Sequence, residues 1–230
     1  MTSSARFALY FTPQPGSALD RFGAGVLGYD PTTGADVRLT SLRGIHDTDR
    51  VALTEEPRRY GFHATLKAPF RLKGESEDLL AAVRAFAASR PPLQAVRLGL
   101  EPVGRFLALV SDDDTRLLDL FAAEIVALFD KFRAPLSDGE RARRLSAPLS
   151  ARHRALLETW GYPFVFEAFR FHMTLAGPLP EPQRSHWCES LREHLPDLAS
   201  VSIDALTLLR QDNPESRFRI VERVTLGGDL

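Results

Sequence analysis

The chain has 230 residues, enough for one large domain or two small ones. With 44% hydrophobic and 26% charged residues it has the composition of an ordinary soluble globular protein. Its 29 basic and 30 acidic side chains leave a formal net charge of −1, which argues against a large nucleic-acid footprint and leaves room for a local basic cleft. The single Cys188 excludes an internal disulfide and fits a reducing compartment. Residues 1–6 lack a basic segment followed by a long apolar run, and no stretch approaches a membrane span, so a cytoplasmic location with no membrane partner is expected.

Residues 6–11 alternate, which predicts a strand with Phe7, Leu9 and Phe11 inward and Arg6, Ala8 and Tyr10 on the other face. Pro13 and Pro15 end it. Residues 16–28 read as a short helix, although the glycines work against it. Residues 29–50 carry turn residues and no clear period; His46 there reads as solvent-exposed. Beyond residue 75, Leu79, Leu80, Val83, Phe86 and Ala87 mark a helix over 76–89. Strands are expected at 94–101 and 105–110 about Gly104, then a helix over 114–132 opened by Asp112-Asp113-Asp114. Ser137 to Glu140 has capping-box spacing and opens a basic helix through Arg141, Arg143 and Arg144. Those arginines read as a solvated face before they read as phosphate ligands. Ser150 caps a further helix ending near Trp160, a turn follows at Gly161-Tyr162-Pro163, and Trp160 and Tyr162 read as packing for it. A helix at 181–195 and a hairpin of strands at 201–209 and 217–225 complete the chain. Arg210, Arg217 and Arg219 stand at the hairpin's edges as weaker cationic candidates.

Two stretches stand out from this series. Tyr60-Gly61-Phe62-His63-Ala64-Thr65-Leu66-Lys67-Ala68-Pro69 and Phe169-Arg170-Phe171-His172-Met173-Thr174-Leu175-Ala176-Gly177-Pro178 share Phe, His, Thr, Leu and Pro at the same offsets. Both read as strands, the second from about 164 to 175. Period-two alternation sends Tyr60, Phe62, Ala64 and Leu66 to the core and Gly61, His63, Thr65 and Lys67 to an open face. In the second copy Arg170, His172, Thr174 and Ala176 face outward. Each stretch thus presents an imidazole and a hydroxyl, with Lys67 or Arg170 beside them. One imidazole can take a proton and the other give one, while hydroxyls and cations hold phosphoryl oxygens. A lone His-x-Thr means little; two in matched contexts on the open face are hard to obtain from core packing. His186 and His194 are eight residues apart, not at metal-site spacing, and no clustered carboxylates lie near either motif. No metal and no cofactor are therefore expected.

On these paired motifs the sequence resembles the 2H phosphoesterases. Residues 6–11, 58–67, 132–136 and the Trp160-Gly161-Tyr162-Pro163 turn are similar to an uncharacterised bacterial branch often encoded beside carbon–phosphorus lyase genes and labelled as phosphonate-metabolism proteins. The residues themselves read as an α+β domain: two mainly antiparallel sheets, one motif strand in each, with helices outside and a cleft between. The resemblance implies the bilobal form of that fold, with pseudo-two-fold symmetry. One domain over 1–230 is expected, with lobe one at about 5–110, a helical connector at about 112–160 and lobe two at about 161–227. The resemblance also implies that His63 and His172 act as acid and base, with Thr65 and Thr174 as phosphate ligands. Strand parity adds Lys67, Arg170 and Tyr10 as substrate-binding candidates. The expected partner is a small phosphorylated molecule, ribose or nucleotide based, with a ribosyl 1,2-cyclic phosphate as the narrow case by analogy. A 2′,3′-cyclic phosphodiesterase of RNA ends or a 2′–5′ RNA ligase-like enzyme using the same site, and a non-catalytic phosphate-binding module, are the alternatives. No obligate protein partner is expected.

Overall fold

The computed structural model describes residues 5–111, 113, 115–196 and 201–228. Asp112 and Asp114, which the sequence reading placed at a helix start, lie outside the described residues. Strand β1 (Arg6–Phe11) leads into α1 (Ala18–Leu27), which Ser17 caps by accepting from the Asp20 N–H at 3.2 Å and which Gly28 ends at φ 72°. A two-residue ladder, β2 (Tyr29–Asp30) with β3 (Ala35–Asp36), follows. Two helices that the sequence reading missed, α2 (Asp47–Leu53) and α3 (Glu55–Arg58), bring the chain to β4 (Ala64–Arg71). They are too short for apolar periodicity to register.

Helix α4 (Ser76–Ala88) precedes β5 (Leu93–Val96), β6 (Leu98–Val103) and β7 (Phe106–Ser111). The strand expected at 94–101 is therefore two strands. Helix α5 (Arg116–Leu128) ends in a 3-10 turn; α6 (Asp138–Leu145) carries the capping box, and α7 (Ala151–Trp160) is capped by Ser150. The second motif strand is only β8 (His172–Ala176), preceded by a 3-10 turn rather than by strand from 164. Helix α8 (Glu181–Arg192) and strands β9 (Val201–Ile203), β10 (Ala205–Gln211) and β11 (Arg219–Thr225) complete the fold. The fold is α+β.

Seven strands form one sheet in the order β11-β10-β1-β4-β8-β7-β6, with β5 and β9 paired apart. The two expected sheets are the halves of this one: β11-β10-β1-β4 and β8-β7-β6 meet at the motif strands through a single backbone pair, Ala64 with Met173. Membership of the halves differs from the lobe boundaries read off the sequence. β6 and β7 fall in the second half and the C-terminal β10 and β11 in the first. The reason is antiparallel pairing of β1 with β10, from Arg6 opposite Gln211 to Tyr10 opposite Thr207. Nor is α5 a connector: its Leu118, Phe121, Ala122 and Ile125 join the main core. Helices α1, α4, α5 and α8 cover one face of the sheet, over Leu9, Leu66, Leu107, Leu109, Met173 and Leu208. On the other face Phe218 packs with Ala8, Tyr10 and Leu209 in a small second cluster, and the face beside it opens on the cleft.

Candidate active site

His63 immediately precedes β4 and His172 opens β8. The antiparallel pair Ala64–Met173, carried one residue either way, sets His63 opposite Thr174 and Thr65 opposite His172. Opposite residues share a face with Cβ atoms about 4.5–5.5 Å apart, and diagonal ones, as the two histidines are, stand about 7–8 Å apart. Both His and both Thr line one cleft of about 540 Å³, within the usual size of a ligand site.

The imidazoles are fixed in the same way. His63 Nδ1–H donates to the Gly61 carbonyl at 2.8 Å and His172 Nδ1–H to the Arg170 carbonyl at 2.8 Å. A carbonyl only accepts, so Nδ1 carries the proton and Nε2 is the working nitrogen in both. At His63, Nε2 lies 3.2 Å from Thr65 Oγ1, whose hydroxyl donates when the ring is neutral. The acceptor carbonyl is aimed by Gly61 at φ 75°, where a Cβ would lie 2.7 Å from the ring of Pro31. Tyr10 is buried on β1 opposite Thr65 and stacks on His63, with ring centroids 3.8 Å apart and planes 20° apart. It serves as a plate behind the imidazole. Burial pushes the His63 pKa down to about 4; the Gly61 bond acts upward and His172 downward. His63 is thus neutral across the physiological range.

The structure corrects the reading of Lys67. Along β4, Thr65 pairs with Tyr10 but Lys67 pairs with Leu9, so Leu66 is an extra residue and the strand bulges there. Lys67 shares the face of Leu9, which is core. It is buried, and Nζ donates to the Val126 carbonyl at 3.0 Å and Asp130 Oδ1 at 3.1 Å. Burial lowers its pKa, while Arg133 and Lys67 together hold the Asp130 carboxyl low against its own burial. Strand β8 does the same: Thr174 pairs with Ala108 and Ala176 with Leu107, leaving Leu175 extra. The repeat therefore includes a bulge after each Thr, which ends the alternation on which the Lys67 assignment rested.

Arg170 is exposed and lines an adjoining pocket of about 290 Å³ that shares Thr65 and His172 with the cleft and is walled by Tyr162, Phe164 and Phe169. The cations on the cleft itself are Arg6, Arg59, Arg143 and Arg144. Parity put Arg6 on the open face with Tyr10, but nothing in the sequence reading gave it weight, and Arg59 was seen only as part of a family-like block. Arg210 and Arg219 are paired to Asp212 and Arg217 to Asp36. His46, His153, His186 and His194 do not line the cleft. Trp160, the last residue of α7, and Tyr162 pack against Val126, Leu156 and Val165, and Tyr162 also reaches the cleft wall.

Comparison with known proteins gives a family match over residues 65–219, which contain both motif threonines and His172. The matching family is described as a protein of unknown function, DUF1045. The chain belongs to that family. Among curated relatives, it is 37% identical over 234 residues to a protein of Janthinobacterium sp. (strain Marseille) named ribose 1,5-bisphosphate phosphokinase PhnN, covering 98% of this chain and 52% of the relative. A protein of the same name from Laribacter hongkongensis (strain HLHK9) is 33% identical over 223 residues, covering 96% of this chain and 52% of the relative. The chain therefore spans about half the length of these relatives. Among solved structures, TT0787 of Thermus thermophilus is 16% identical with a TM-score of 0.44, covering 98% of this chain and all of that one. Among the described residues, no helix is long and apolar enough to cross a membrane.

Proposed function

We propose that this DUF1045 cleft hydrolyses a cyclic phosphate or small phosphodiester by paired imidazole catalysis, without a metal ion. One observation carries the reading: two His-x-Thr segments, held alike by Nδ1–H bonds two residues back, face each other across the Ala64–Met173 pair. His63, neutral with its pKa near 4, takes the proton of the attacking water at Nε2. As the new P–O bond forms and the ester P–O bond breaks, imidazolium His172 gives its Nε2 proton to the leaving oxygen. With substrate bound, Thr65 turns its hydroxyl from His63 Nε2 to a non-bridging oxygen, which frees Nε2 for the water, and Thr174 donates to another. Proton exchange with solvent restores both rings. The substrate class we favour is a phosphorylated ribose, the sugar named in the relatives' phosphokinase activity. A ribosyl 1,2-cyclic phosphate is the narrowest form of it.

A second substrate reading, a 2′,3′-cyclic RNA end, is favoured by the aromatic pocket beside His172, which would take a flat base. A turnover screen of ribosyl and nucleoside cyclic phosphates in excess chelator tests the proposal. Activity should survive the chelator, and replacing either His with Ala should lower turnover roughly 10²–10⁴-fold. Activity abolished by chelator and restored by a divalent ion, or near-normal His-to-Ala variants, would refute it.

A further inference from the structure

Arginine is abundant on this surface and most of it is paired: on α6 and its neighbours, Arg141 meets Glu158 and Arg71 meets Glu140. The four cleft arginines differ. Arg6, Arg59, Arg143 and Arg144 face the cleft with Glu56 as its only carboxylate, and none of the four is in an ion pair among the described residues. Three of them gather at one end. Arg144 donates to the Pro69 carbonyl at 3.3 Å and lies over the Tyr162 ring at 5.4 Å. Burial lowers its pKa, and the charges of Arg143 and Arg6 lower it further. Glu140, which acts the other way, is already held by Arg71 and the Ser137 N–H.

This end is not where the histidines act. Arg6 lies four residues from Tyr10 on one face of β1, about 13 Å at the strand rise; its partner on β4 is Arg71, and Pro69, whose carbonyl holds Arg144, stands nearer, opposite Ala8 and about 7 Å from the level of Tyr10 and Thr65. A phosphodiester at the histidines carries one charge and has Thr65 and Thr174 to hold it. Guanidinium groups gathered without a carboxylate repel one another and gain most from a bound oxyanion. Resting on the phosphodiesterase reading of the histidine end, we infer that the arginine end is a subsite for a second phosphate of the same substrate. The substrate is then a molecule with a reacting cyclic diester at one end and a further phosphate several ångströms away. That phosphate is either a terminal monoester on a small sugar or the next diester of an oligonucleotide.

The test compares kcat/KM for adenosine 2′,3′-cyclic phosphate, the same compound with a 5′-phosphate, and a dinucleotide ending in the cyclic phosphate. The second phosphate should raise kcat/KM roughly 10–100-fold, the scale of charge-assisted hydrogen bonds. A larger gain for the monoester identifies a small phosphorylated sugar, and a larger gain for the dinucleotide identifies an RNA end. In Arg143→Met and Arg143→Gln, at an exposed position of the cluster, that ratio should fall toward one while thermal melting is unchanged. Equal kcat/KM for all three compounds overturns the subsite and leaves the phosphodiesterase reading standing. Calorimetric binding of adenosine 2′-monophosphate and 2′,5′-bisphosphate decides the subsite if nothing is hydrolysed. Tighter binding of the bisphosphate, lost in the variants, then supports the subsite without the chemistry, and equal or absent binding overturns it.

Discussion

His63 is held between a carbonyl, a hydroxyl and an aromatic plate, and each has a consequence for its proton. In the mechanism proposed above, a pKa near 4 suits it to the part of base, a division of labour that the two matched motifs could not reveal. The acid limb of kcat/KM, which reports the free enzyme, is expected near pH 4. The limb of kcat should lie higher, because a bound phosphate favours imidazolium. Coincident limbs near 6.5 would contradict this. The same depression bears on stability. Between about 4 and 6.5 the unfolded chain binds a proton at this residue that the folded chain refuses, so stability falls as pH falls through that window and is unaffected by this group above it. Urea midpoints at pH 7 and 4.5 should differ more for the wild type than for His63→Gln. Lys67 belongs to the fold: Lys67→Met should cost about 1–3 kcal/mol by stranding buried oxygens, seen as a lower melting temperature with the substrate's KM unchanged.

Helix α1 shows how an element far from the chemistry sets it. Its glycines made it a poor helix on paper. Gly23 is there because the Phe62 ring lies against it, so that a Cβ would overlap the ring, and Gly25 leaves the same room for Thr40. Phe62 is the residue before His63. Gly23→Ala raises helix propensity yet should destabilise the protein by about 1–3 kcal/mol through overpacking. It should also lower kcat as Phe62 and His63 shift; unfolding midpoints and steady-state rates check both. The site was legible to the extent that a two-residue period holds. His63, Thr65, His172 and Thr174 fall on one face because alternation is unbroken between each His and its Thr. Lys67 was lost because a bulge depends on the partner strand's register, and Leu66 has nothing to mark it. The cleft arginines were illegible for a related reason: β1, α6 and the end of α3 meet only in three dimensions.

At the scale of the whole molecule, the elements and the α+β class could be read from period and punctuation, and the paired motifs carried the resemblance to the 2H phosphoesterases. The assignment of strands to halves could not be read, since chain order says nothing about which hairpin crosses over. The first half of the sheet is closed by β10 and β11, and β1 lies between β10 and β4. Cutting the chain near residue 113 should therefore leave neither fragment stably folded, while the two expressed together should recover activity; a soluble, cooperatively melting fragment 1–112 would count against this. The crossover also bears on synthesis. The strand that carries Thr65 can find β1 early, but the outer strands that shield β1 leave the ribosome more than a hundred residues later. Until then β1 offers an unpaired edge rich in Phe and Leu. Such distant pairing slows folding and makes the nascent chain, rather than the finished protein, the stage most exposed to aggregation and most dependent on chaperones.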